Sequence, residues 1–584
     1  MVFGHNINKY YLKYFGLILI GFLALLAVDY FQLEIPELIG NIINSFSDGS
    51  INKDMMIDFV KWTILIACVM FSGRILWRIC ILGLSRRVSA DIRKEMFYHS
   101  EKLSQRYYQE NKTGALMALY TNDIETITES FGSGIVMTVD AIFLGAFSFY
   151  RMIMINWVLA LICTIPLLAL ACCGGIIGKV MGRKWDERQK AFEEMSDFTQ
   201  ENFSGISVVK AFVKEALEFK NFAKVNKKNL DKNISFIRYN TIVGICVGVL
   251  ISSVIVIIVG FGGYLVYQNS IGNPGILVGD LTKFISYFGT LTWPMMAIAN
   301  LINMCSQARA SLKRIDALID EKVEIIDDKV VDVKKINGTI TFNHFNFSYP
   351  NSDIEILHDI CLTIEKGTMV GLIGRTGSGK TTLVDSLLRV YNVNENEIFI
   401  DGIDIMKIPF KKVREAIGYV PQDNFLFSDT IKNNISFSGS FSDDEIRSAT
   451  EFSDVHDNIM EFKDGYETVL GERGVTISGG QKQRISIARA IIKNPEILIL
   501  DDSVSAVDTK TEEKIIDNIK RERKGKTTIL IAHRISTVKN LDKVLLIDDG
   551  RIVDYGTHDE LLERSTLYNE MVQLQKLEDE VEGK

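Results

Sequence analysis

Charged residues are absent from three long stretches of this sequence. No Asp, Glu, Lys or Arg occurs in the segments 152–178, 239–279 and 284–308. A helix crosses the hydrocarbon core of a bilayer with about 20 apolar residues, and a buried helix of a soluble protein rarely needs a longer charge-free run. The lack of charge in these stretches therefore predicts membrane-spanning helices within the first 320 residues.

Positive charge is scarce relative to negative charge. The net charge is −8 at pH 7, and no basic stripe stands out along the chain, which argues against a role in binding nucleic acid. The sequence also lacks a small-residue cleavage site after its first apolar run, at 15–28. We therefore expect no cleaved signal peptide.

The eight cysteines lack the spacing of a metal site. Seven of them lie in or beside apolar runs, where we interpret them as small apolar packing residues. These seven are Cys68, Cys80, Cys163, Cys172, Cys173, Cys246 and Cys305.

The apolar runs predict six spans. Their expected limits are 14–45, 58–82, 131–152, 157–180, 241–267 and 283–307. The short loops on one side of the membrane carry Asp48, Asp54 and Asp58 against the single Lys53, whereas the other side is rich in Arg and Lys. Because basic residues mark the cytoplasmic face, we expect a multi-pass protein of the cell membrane with both termini in the cytosol.

The two cytosolic connections, 85–129 and 183–238, are much longer than turns. Their apolar residues recur at helical spacing, so the spans are expected to continue as helices beyond the bilayer. Each connection has a glycine-containing break, near Gly114 and Gly205, where we expect a short helix that lies on the domain formed by the second part of the chain. Before the first span, the segment 8–13 mixes aromatic residues with lysine, which suits an interfacial helix or an ordinary cytosolic lead-in.

The second part of the chain has a different pattern. Short β-branched runs alternate with helical segments, and 497–500 and 528–531 are typical of buried parallel strands. This layout predicts an α/β domain. The expected domain limits are 1–320 for the membrane domain, 321–337 for a linker and 338–584 for the α/β domain.

A complete phosphate-binding loop lies between a predicted strand, 369–373, and a predicted helix, 382–389. Its glycines allow backbone N–H groups to converge on phosphate oxygens, and the helix N-terminus adds a favourable dipole. Lys380 is expected to bind the β and γ phosphates and Thr381 to bind Mg²⁺. The predicted ATP-binding residues of this loop are Gly374, Arg375, Thr376, Gly377, Ser378, Gly379, Lys380, Thr381 and Thr382. The motif alone indicates an ATPase or a GTPase.

Asp501 ends the predicted strand 497–500. A carboxylate in this position, in the same domain as a phosphate loop, is expected to lie beside the Mg²⁺ ion. An aspartate can also end a strand without such a role.

The segment 476–481, Thr-Ile-Ser-Gly-Gly-Gln, resembles the signature of the ABC transporter family, and it directly precedes the strand that ends at Asp501. Other family motifs follow the same order along the chain. Those that carry the resemblance are Tyr349, Gln422 in Val-Pro-Gln-Asp, the exporter-type loop 471–474, the loop 503–508 and His533 in Ile-Ala-His-Arg. The resemblance covers the whole chain.

This resemblance implies a fold and a set of roles. The fold is a six-helix, all-α membrane domain of the ABC exporter type joined to a cytosolic α/β nucleotide-binding domain. Tyr349 would stack on adenine, Gln422 would help to bind Mg²⁺, and His533 would sense the γ phosphate. The residues implied to contact ATP bound on a second half-transporter are Ser478, Gly479, Gly480, Gln481 and Asp508.

Asp502 departs from the pattern of most active members, which have Glu after the strand-ending Asp. An aspartate withdraws the carboxylate by roughly 1 Å, and such a misplacement can cost about 10²-fold in rate. Asp502 resembles the pattern of heterodimeric bacterial multidrug exporters, and the segments 73–78 and 112–117 resemble their MdlA-type subunits. The resemblance implies a weak site here, a partner with a catalytic Glu, and an amphipathic cargo.

Four charged residues fall within predicted spans, namely Asp29, Arg74, Arg78 and Asp140. They are expected either to line a polar part of the transport path or to form structural ion pairs. Two alternatives to the heterodimeric multidrug exporter stay open. One is a homodimer that exports lipid or peptide with Asp502 as its own base, and the other is a membrane-anchored regulatory ATPase.

Overall fold

The computed structural model describes residues 4–350, 352, 354–471, 474 and 476–581. The chain divides into two compact units. The first contains Met1–Phe97 and Met117–Ile319, and the second contains Tyr98–Leu116 and Asp320–Lys584. The expected membrane domain, 1–320, is therefore interrupted, because its segment 98–116 packs with the second unit.

Long helices make up the first unit. Six helices of 33 to 56 residues occur within the described residues, in the expected order. The helices of this half of the chain are α1 His5–Lys13, α2 Phe15–Ser47, α3 Lys53–Ser100, α4 Gln105–Glu110, α5 Thr113–Ile155, α6 Trp157–Ser204, α7 Ile206–Ala211, α8 Glu215–Ser270 and α9 Val278–Ile319.

Several of these helices are much longer than a bilayer is thick. At 1.5 Å per residue, α8 is about 84 Å long, against about 30 Å for a hydrocarbon core. The predicted continuation of the spans beyond the membrane is thus confirmed. Within the described residues, α2, α3, α5 and α8 are long and apolar enough to cross a membrane, and α6 has a shorter apolar stretch, Trp157–Pro166.

The predicted helix before the first span is present as α1. Lys13 pairs with Asp91 of α3 at 2.5 Å, and Lys9 pairs with Glu95. The Tyr10 hydroxyl donates to the Glu95 carboxylate at 2.6 Å. These contacts hold α1 against α3 at two places one helical turn apart. The lysines of α1 therefore form ion pairs within the unit.

A group of charged residues joins α2, α5 and α9. Glu37 of α2 accepts a hydrogen bond from Lys283 at 3.0 Å and one from the Tyr287 hydroxyl at 3.1 Å. Arg151 of α5 pairs with Glu34 at 2.7 Å and lies 3.7 Å from Glu37. The side chain of Lys283 is only 9% exposed and lies 3.0 Å from the Glu37 carboxylate.

In the second unit, a six-stranded sheet and a four-stranded sheet share one domain. The six-stranded sheet has the order β10-β9-β3-β8-β7-β6, parallel except for β10 at the edge, and the antiparallel four-stranded sheet has the order β2-β1-β4-β5. The strands are β1 Ile340–Ser348, β2 Glu355–Ile364, β3 Met369–Ile373, β4 Ile398–Ile400, β5 Ile403–Asp404, β6 Ile417–Val420, β7 Ile497–Asp501, β8 Thr527–Ile531, β9 Lys543–Asp548 and β10 Arg551–Gly556.

Helices flank these sheets. They are α10 Lys380–Leu387, α11 Phe410–Ala416, α12 Ile431–Ile435, α13 Asp443–Phe452, α14 His456–Met460, α15 Gly479–Ile491, α16 Thr509–Glu522, α17 Ile535–Val538, α18 His558–Arg564 and α19 Thr566–Val581. The two predicted buried strands are confirmed within β7 and β8, which are parallel neighbours with every residue buried. The predicted helix 382–389 begins two residues earlier, at Lys380.

The segment 98–116 belongs to the second unit through side-chain contacts. The Ser104 hydroxyl donates to Glu324 at 2.5 Å, and Arg106 pairs with the same carboxylate. The Tyr391 hydroxyl donates to the Gln109 side chain, just before the end of α4, at 3.2 Å. Short helices at both cytosolic breaks are thus confirmed, although α4 lies upstream of Gly114, which is inside α5.

We predict that Lys283→Met lowers the stability of the first unit. The change leaves the Glu37 carboxylate with Arg151 and Tyr287 alone, at an expected cost of about 1–3 kcal/mol. The apparent melting temperature of the purified protein in detergent should fall by several degrees. Lys61→Met is the matched control, because Lys61 and its partner Asp58 are 70% and 66% exposed and such pairs contribute little. Equal melting temperatures for the two variants would contradict the prediction.

Candidate nucleotide-binding site

Sheet topology brings the predicted motifs to one edge. β3, β8, β7 and β6 are parallel neighbours, so the loops after their carboxyl ends meet at the same edge, where ligands bind in such sheets. The phosphate loop follows β3, and Asp501 ends β7. His533 follows β8 and Gln422 follows β6. Motifs that are far apart in sequence therefore lie together at this edge of the sheet, which we call the nucleotide rim.

The phosphate loop makes a tight turn between β3 and α10. Gly379 adopts a φ of +93°, and a Cβ there would lie 2.6 Å from the Leu357 side chain. A Cβ on Gly374 would lie 2.0 Å from the Ile547 carbonyl oxygen. Both positions therefore require glycine. Arg375, Thr376 and Gly377 are exposed at the outer part of the loop.

Two charged side chains are buried beside this loop. Lys380 is 7% exposed and donates to the carbonyl oxygens of Gly374 and Arg375, both at 2.9 Å. Asp501 is 2% exposed and accepts a hydrogen bond from the Thr381 hydroxyl at 2.9 Å. These contacts place the predicted phosphate ligand Lys380 and two of the three predicted Mg²⁺ ligands, Thr381 and Asp501, within one small region.

Burial disfavours the charge of both groups. It raises the pKa of the Asp501 carboxyl, against the hydrogen bond from Thr381, which lowers it. It lowers the pKa of the Lys380 ammonium, although the carboxylates of Asp501 and Asp502 oppose that effect. The Ser378 hydroxyl is also buried and has no hydrogen-bond partner among the described residues. A polyphosphate with a divalent cation would provide a partner for each group.

Asp502 has a constrained backbone. Its φ is +47°, a left-handed conformation that aspartate tolerates better than most residues. Its N–H donates to the Ile531 carbonyl at 3.1 Å, and its carbonyl accepts from the Gln483 amide at 3.2 Å and the Ser505 hydroxyl at 2.9 Å. Three hydrogen bonds therefore hold the backbone from which its short side chain projects.

The predicted signature forms the N-terminus of α15. Ser478 is the N-cap, with its hydroxyl oxygen accepting from the Gln481 N–H at 3.2 Å, while the Gln481 side chain accepts from the Ser478 N–H at 3.0 Å. This capping box leaves the Ser478 hydroxyl proton and the N–H groups of Gly479 and Gly480 available to an anion. Asp508 caps α16, and its side chain accepts from the Thr511 N–H at 3.1 Å.

The remaining predicted residues are less tightly placed. The Tyr349 hydroxyl shares a hydrogen bond of 2.8 Å with the Thr382 hydroxyl, and its ring meets those of Phe347 and Tyr391 edge-on. The side chain of Gln422 is exposed. In the predicted exporter-type loop 471–474, the residues 472 and 473 lie outside the described residues.

Two residues of this site escaped the sequence analysis. Gln483 is 6% exposed, and besides the Asp502 carbonyl it bonds the N–H of Ala506 at 3.0 Å, so one side chain joins α15 to the loop after β7. Asp385 lies one helical turn after Thr381 in α10. Burial, helped by the charge of Asp501, raises the pKa of Asp385 to about 6. The spacing of Asp385 from Thr381, one helical turn, is visible in the sequence and could have identified Asp385. No pattern in the sequence singles out Gln483.

In the first unit, the four predicted intramembrane charges line a single cavity of about 320 Å³. One carboxylate oxygen of Asp29 and one of Asp140 are buried without a hydrogen-bond partner among the described residues. The other oxygen of Asp140 accepts from the Trp293 indole at 2.8 Å. No ion pair within 4.0 Å joins Asp29 or Asp140 to Arg74 or Arg78 in the described part of the chain, which favours a polar cavity lining over a structural pair.

Sequence reasoning missed the other polar group of this unit. Glu34, Glu37, Arg151 and Lys283 lie within or at the ends of predicted spans. Their contacts, which meet at Glu37 and Arg151, depend on how three helices pack. The available signal was the presence of two carboxylates, Glu34 and Glu37, within the first predicted span, 14–45.

Comparison with known proteins gives consistent matches along the chain. A family model described as the ABC transporter transmembrane region matches residues 8–295, and one described as ABC transporter matches residues 357–505. The chain is 36% identical over 582 residues to the probable multidrug resistance ABC transporter ATP-binding/permease protein YheI of Bacillus subtilis (strain 168), covering 99% of this chain and 98% of that one.

Two further matches span nearly the whole chain. It is 32% identical over 562 residues to the multidrug resistance-like ATP-binding protein MdlA of Escherichia coli (strain K12), covering 96% of this chain and 94% of the relative. A solved structure of a bacterial Atm1-family ABC exporter with ATP bound matches with a TM-score of 0.75 and 26% identity, covering 97% of this chain and 98% of that chain.

A helical membrane domain joined to a phosphate-loop ATPase domain defines an ATP-driven membrane transporter of the exporter fold. The chain belongs to the ABC transporter family, in the group of exporter half-transporters that includes YheI and MdlA. It is thus a multi-pass membrane protein whose nucleotide-binding domain couples ATP hydrolysis to transport. The predicted fold class and the predicted type of enzyme are confirmed.

We predict that Lys380→Ala weakens ATP binding at this site. The change removes a charge-assisted contact worth about 1.5–3 kcal/mol, which corresponds to a loss of roughly 10- to 150-fold in affinity. Binding of a fluorescent ATP analogue to the purified protein would measure it. Lys366→Ala, at an exposed lysine before β3, is the matched control and should bind as the unaltered protein does. Unchanged affinity in Lys380→Ala would contradict the assignment.

Proposed function

We propose that this chain is one subunit of a heterodimeric exporter that moves amphipathic compounds out of the cell, and that its own ATP site hydrolyses slowly. The observation that carries this proposal is Asp502, a short carboxylate on a backbone fixed by three hydrogen bonds. The multidrug names of YheI and MdlA support the cargo class.

The proposed roles follow the geometry of the rim. The loop from Gly374 to Thr382 binds the phosphates, with Lys380 leaving its two carbonyl partners for the β and γ phosphates. Thr381, Asp501 and Gln422 hold Mg²⁺, which when bound neutralises phosphate charge. Tyr349 stacks on adenine and His533 contacts the γ phosphate.

Asp502 is the proposed site of asymmetry. A residue that orients the attacking water must reach a defined point near the γ phosphate. The three hydrogen bonds to the Asp502 backbone and its left-handed conformation leave little freedom to move the shorter carboxylate forward. A shortfall of roughly 1 Å can cost about 10²-fold in rate. We therefore infer a slow own site.

The signature of this chain is proposed to complete the ATP site of a partner. Ser478, Gly479 and Gly480 present a hydroxyl and backbone N–H groups at the start of a 13-residue helix, with Ser478 and Gly479 exposed and Gly480 half-buried. Gln481 supports them through the capping box, and Asp508 lies at the start of α16. The partner is a second half-transporter with a catalytic Glu. At the partner's ATP site, this chain supplies the signature and the partner supplies the catalytic base.

Membrane orientation is proposed from the charge pattern. Basic residues flank the long helical connections, whereas Asp48, Asp54 and Asp58 lie in the loop between α2 and α3 or at the start of α3, against the single Lys53. Both termini and the nucleotide-binding domain, proposed as 338–584 after a linker at 321–337, would therefore lie in the cytosol. The protein would reside in the cytoplasmic membrane.

We predict that Asp502→Asn only slows ATP hydrolysis by the purified heterodimer, whereas Gln in place of the partner's catalytic Glu nearly abolishes hydrolysis. The physical reason is that the partner's site performs most of the turnover. Asp502→Glu should raise hydrolysis at this site. Steady-state ATPase activity of the complex measures all three variants.

A matched control for this experiment is Asp508→Asn, which alters the proposed contact with the partner's nucleotide instead of the own-site carboxylate. It should reduce turnover more than Asp502→Asn does. If Asp502→Asn alone abolishes activity, Asp502 is a full catalytic base, and a symmetric homodimer should replace the proposed heterodimer.

We also predict that α7 docks on the partner. No residue of α7 is buried, and Val208 is 59% exposed. In a cysteine-free background, Val208→Cys should cross-link to a cysteine placed near the partner's counterpart of Gln422, as seen by gel mobility. The pair Gln109→Cys and Tyr391→Cys, whose native side chains touch, should cross-link within one chain and serves as the control. Cross-links of Val208→Cys confined to its own chain would contradict the docking of α7 on the partner.

A further inference from the structure

Three potential metal ligands converge on the exposed face of the four-stranded sheet. His344 lies on β1, and Asp359 and Cys361 lie on β2. One ligand atom from each residue lies within 4.8 Å of the others. The sequence separations, 15 and 2 residues, are not those of a known metal motif, which is why the cysteine pattern predicted none.

Strand geometry brings the three side chains together. Asp359 and Cys361 are two residues apart on β2, so both point to the exposed face while Ile360 and Leu362 are buried. The pairing of β1 with β2 is irregular between Phe342 and Phe345. This bulge turns His344 to the exposed face beside Cys361.

The bulge is supported by a side chain that is not itself a ligand. His344 and Asp359 both adopt left-handed conformations, with φ of +48° and +51°. Asn346 connects them, because its amide donates to the His344 carbonyl at 2.9 Å and its oxygen accepts from the Asp359 N–H at 2.8 Å. The His344 N–H donates to the Cys361 sulfur at 3.4 Å. The sulfur and the backbones of both strands are thereby held in register.

The contacts among the three side chains converge on one nitrogen. Nδ1 of His344 lies 2.6 Å from Oδ1 of Asp359 and 3.5 Å from Sγ of Cys361, and the sulfur lies 4.0 Å from the same carboxylate oxygen. A proton relay from a carboxylate through histidine to a thiol uses both ring nitrogens. Here both neighbours meet Nδ1, so the arrangement is unsuited to a relay and suited to a shared cation.

The distances are close to those of a tetrahedral site. Zn²⁺ binds nitrogen, oxygen and sulfur at about 2.0–2.3 Å, which sets its ligand atoms about 3.3–3.7 Å apart. Two of the three separations need changes of a few tenths of an ångström or less. The Nδ1 to Oδ1 separation must open by about 0.7 Å, and the side chains of His344 and Asp359, 73% and 61% exposed, are free to turn.

We propose that His344, Asp359 and Cys361 form a Zn²⁺-binding site that fastens β1 to β2, with water as the fourth ligand. Thiolate and imidazole select a borderline-soft cation such as Zn²⁺ over Mg²⁺, so the site is distinct in chemistry from the nucleotide rim. On binding, the Cys361 thiol releases its proton to solvent and the sulfur becomes a metal ligand. No redox step is involved.

The test uses the full-length protein purified in detergent through a tag without histidine and stripped of metal with a chelator. Zn²⁺ is titrated by calorimetry in buffer that contains excess Mg²⁺ and no nucleotide. We expect one Zn²⁺ per chain that is lost, or weakened by about 100-fold or more, in Cys361→Ser and in His344→Asn. With Co²⁺ in place of Zn²⁺, a thiolate-to-metal absorption band should appear and should vanish in Cys361→Ser.

His358→Asn is the matched control. His358 lies on the same strand and meets Glu355 at 2.9 Å without a thiol nearby, so this variant should keep the Zn²⁺ affinity and the Co²⁺ band. Mg-ATP hydrolysis by each variant shows that the domain is folded. Equal Zn²⁺ binding in the unaltered protein and Cys361→Ser would overturn the proposal, as would the absence of a Co²⁺–thiolate band.

Discussion

The nucleotide rim depends on two buried groups of opposite charge, Lys380 and Asp501. Lys380 donates hydrogen bonds to loop carbonyl oxygens, and Asp501 accepts a hydrogen bond from the Thr381 hydroxyl. Neither partner carries a full charge, and burial shifts the pKa of each group toward its neutral form. The free energy of this arrangement therefore improves when anionic phosphate reaches Lys380 and a divalent cation reaches Asp501. The tight glycine turn and the four parallel strands hold both groups in place before either ligand arrives.

Gln483 links parts of the chain that are proposed to serve different nucleotides. Its amide bonds the carbonyl of Asp502, which belongs to the chain's own site, and its oxygen bonds the N–H of Ala506, two residues before Asp508. Gln483 also lies on α15, four residues after Gly479. A buried polar side chain with both ends satisfied fixes its surroundings more firmly than apolar packing of equal size. Gln483 therefore joins the signature helix directly to the backbone of Asp502.

The sequence predicted best what depends on local spacing. The phosphate loop, the buried strand before Asp501 and the long helices each follow from a pattern within about 20 residues, because glycine turns, strand burial and helical periodicity are local properties. What the sequence did not show depends on packing between distant segments. The segment 98–116 joins the second unit through Glu324 and Tyr391, Glu37 of α2 meets Lys283 of α9, and a bulge sets His344 beside Cys361. Such contacts between distant segments leave no periodic pattern in the sequence.

The two cytosolic breaks differ in a way that bears on assembly. The first, around α4, is tied to its own chain by Ser104, Arg106 and Gln109. In the second, α7 and the residues that follow it expose Val208, Phe212 and Val213, the last two at 69% and 80%. Adjacent apolar side chains on a short helix need a surface, since the helix is too short to be stable by itself. A second half-transporter would provide that surface, and it would also meet the signature that this chain leaves facing solvent. Both observations therefore favour one arrangement, in which each subunit supplies what the other lacks.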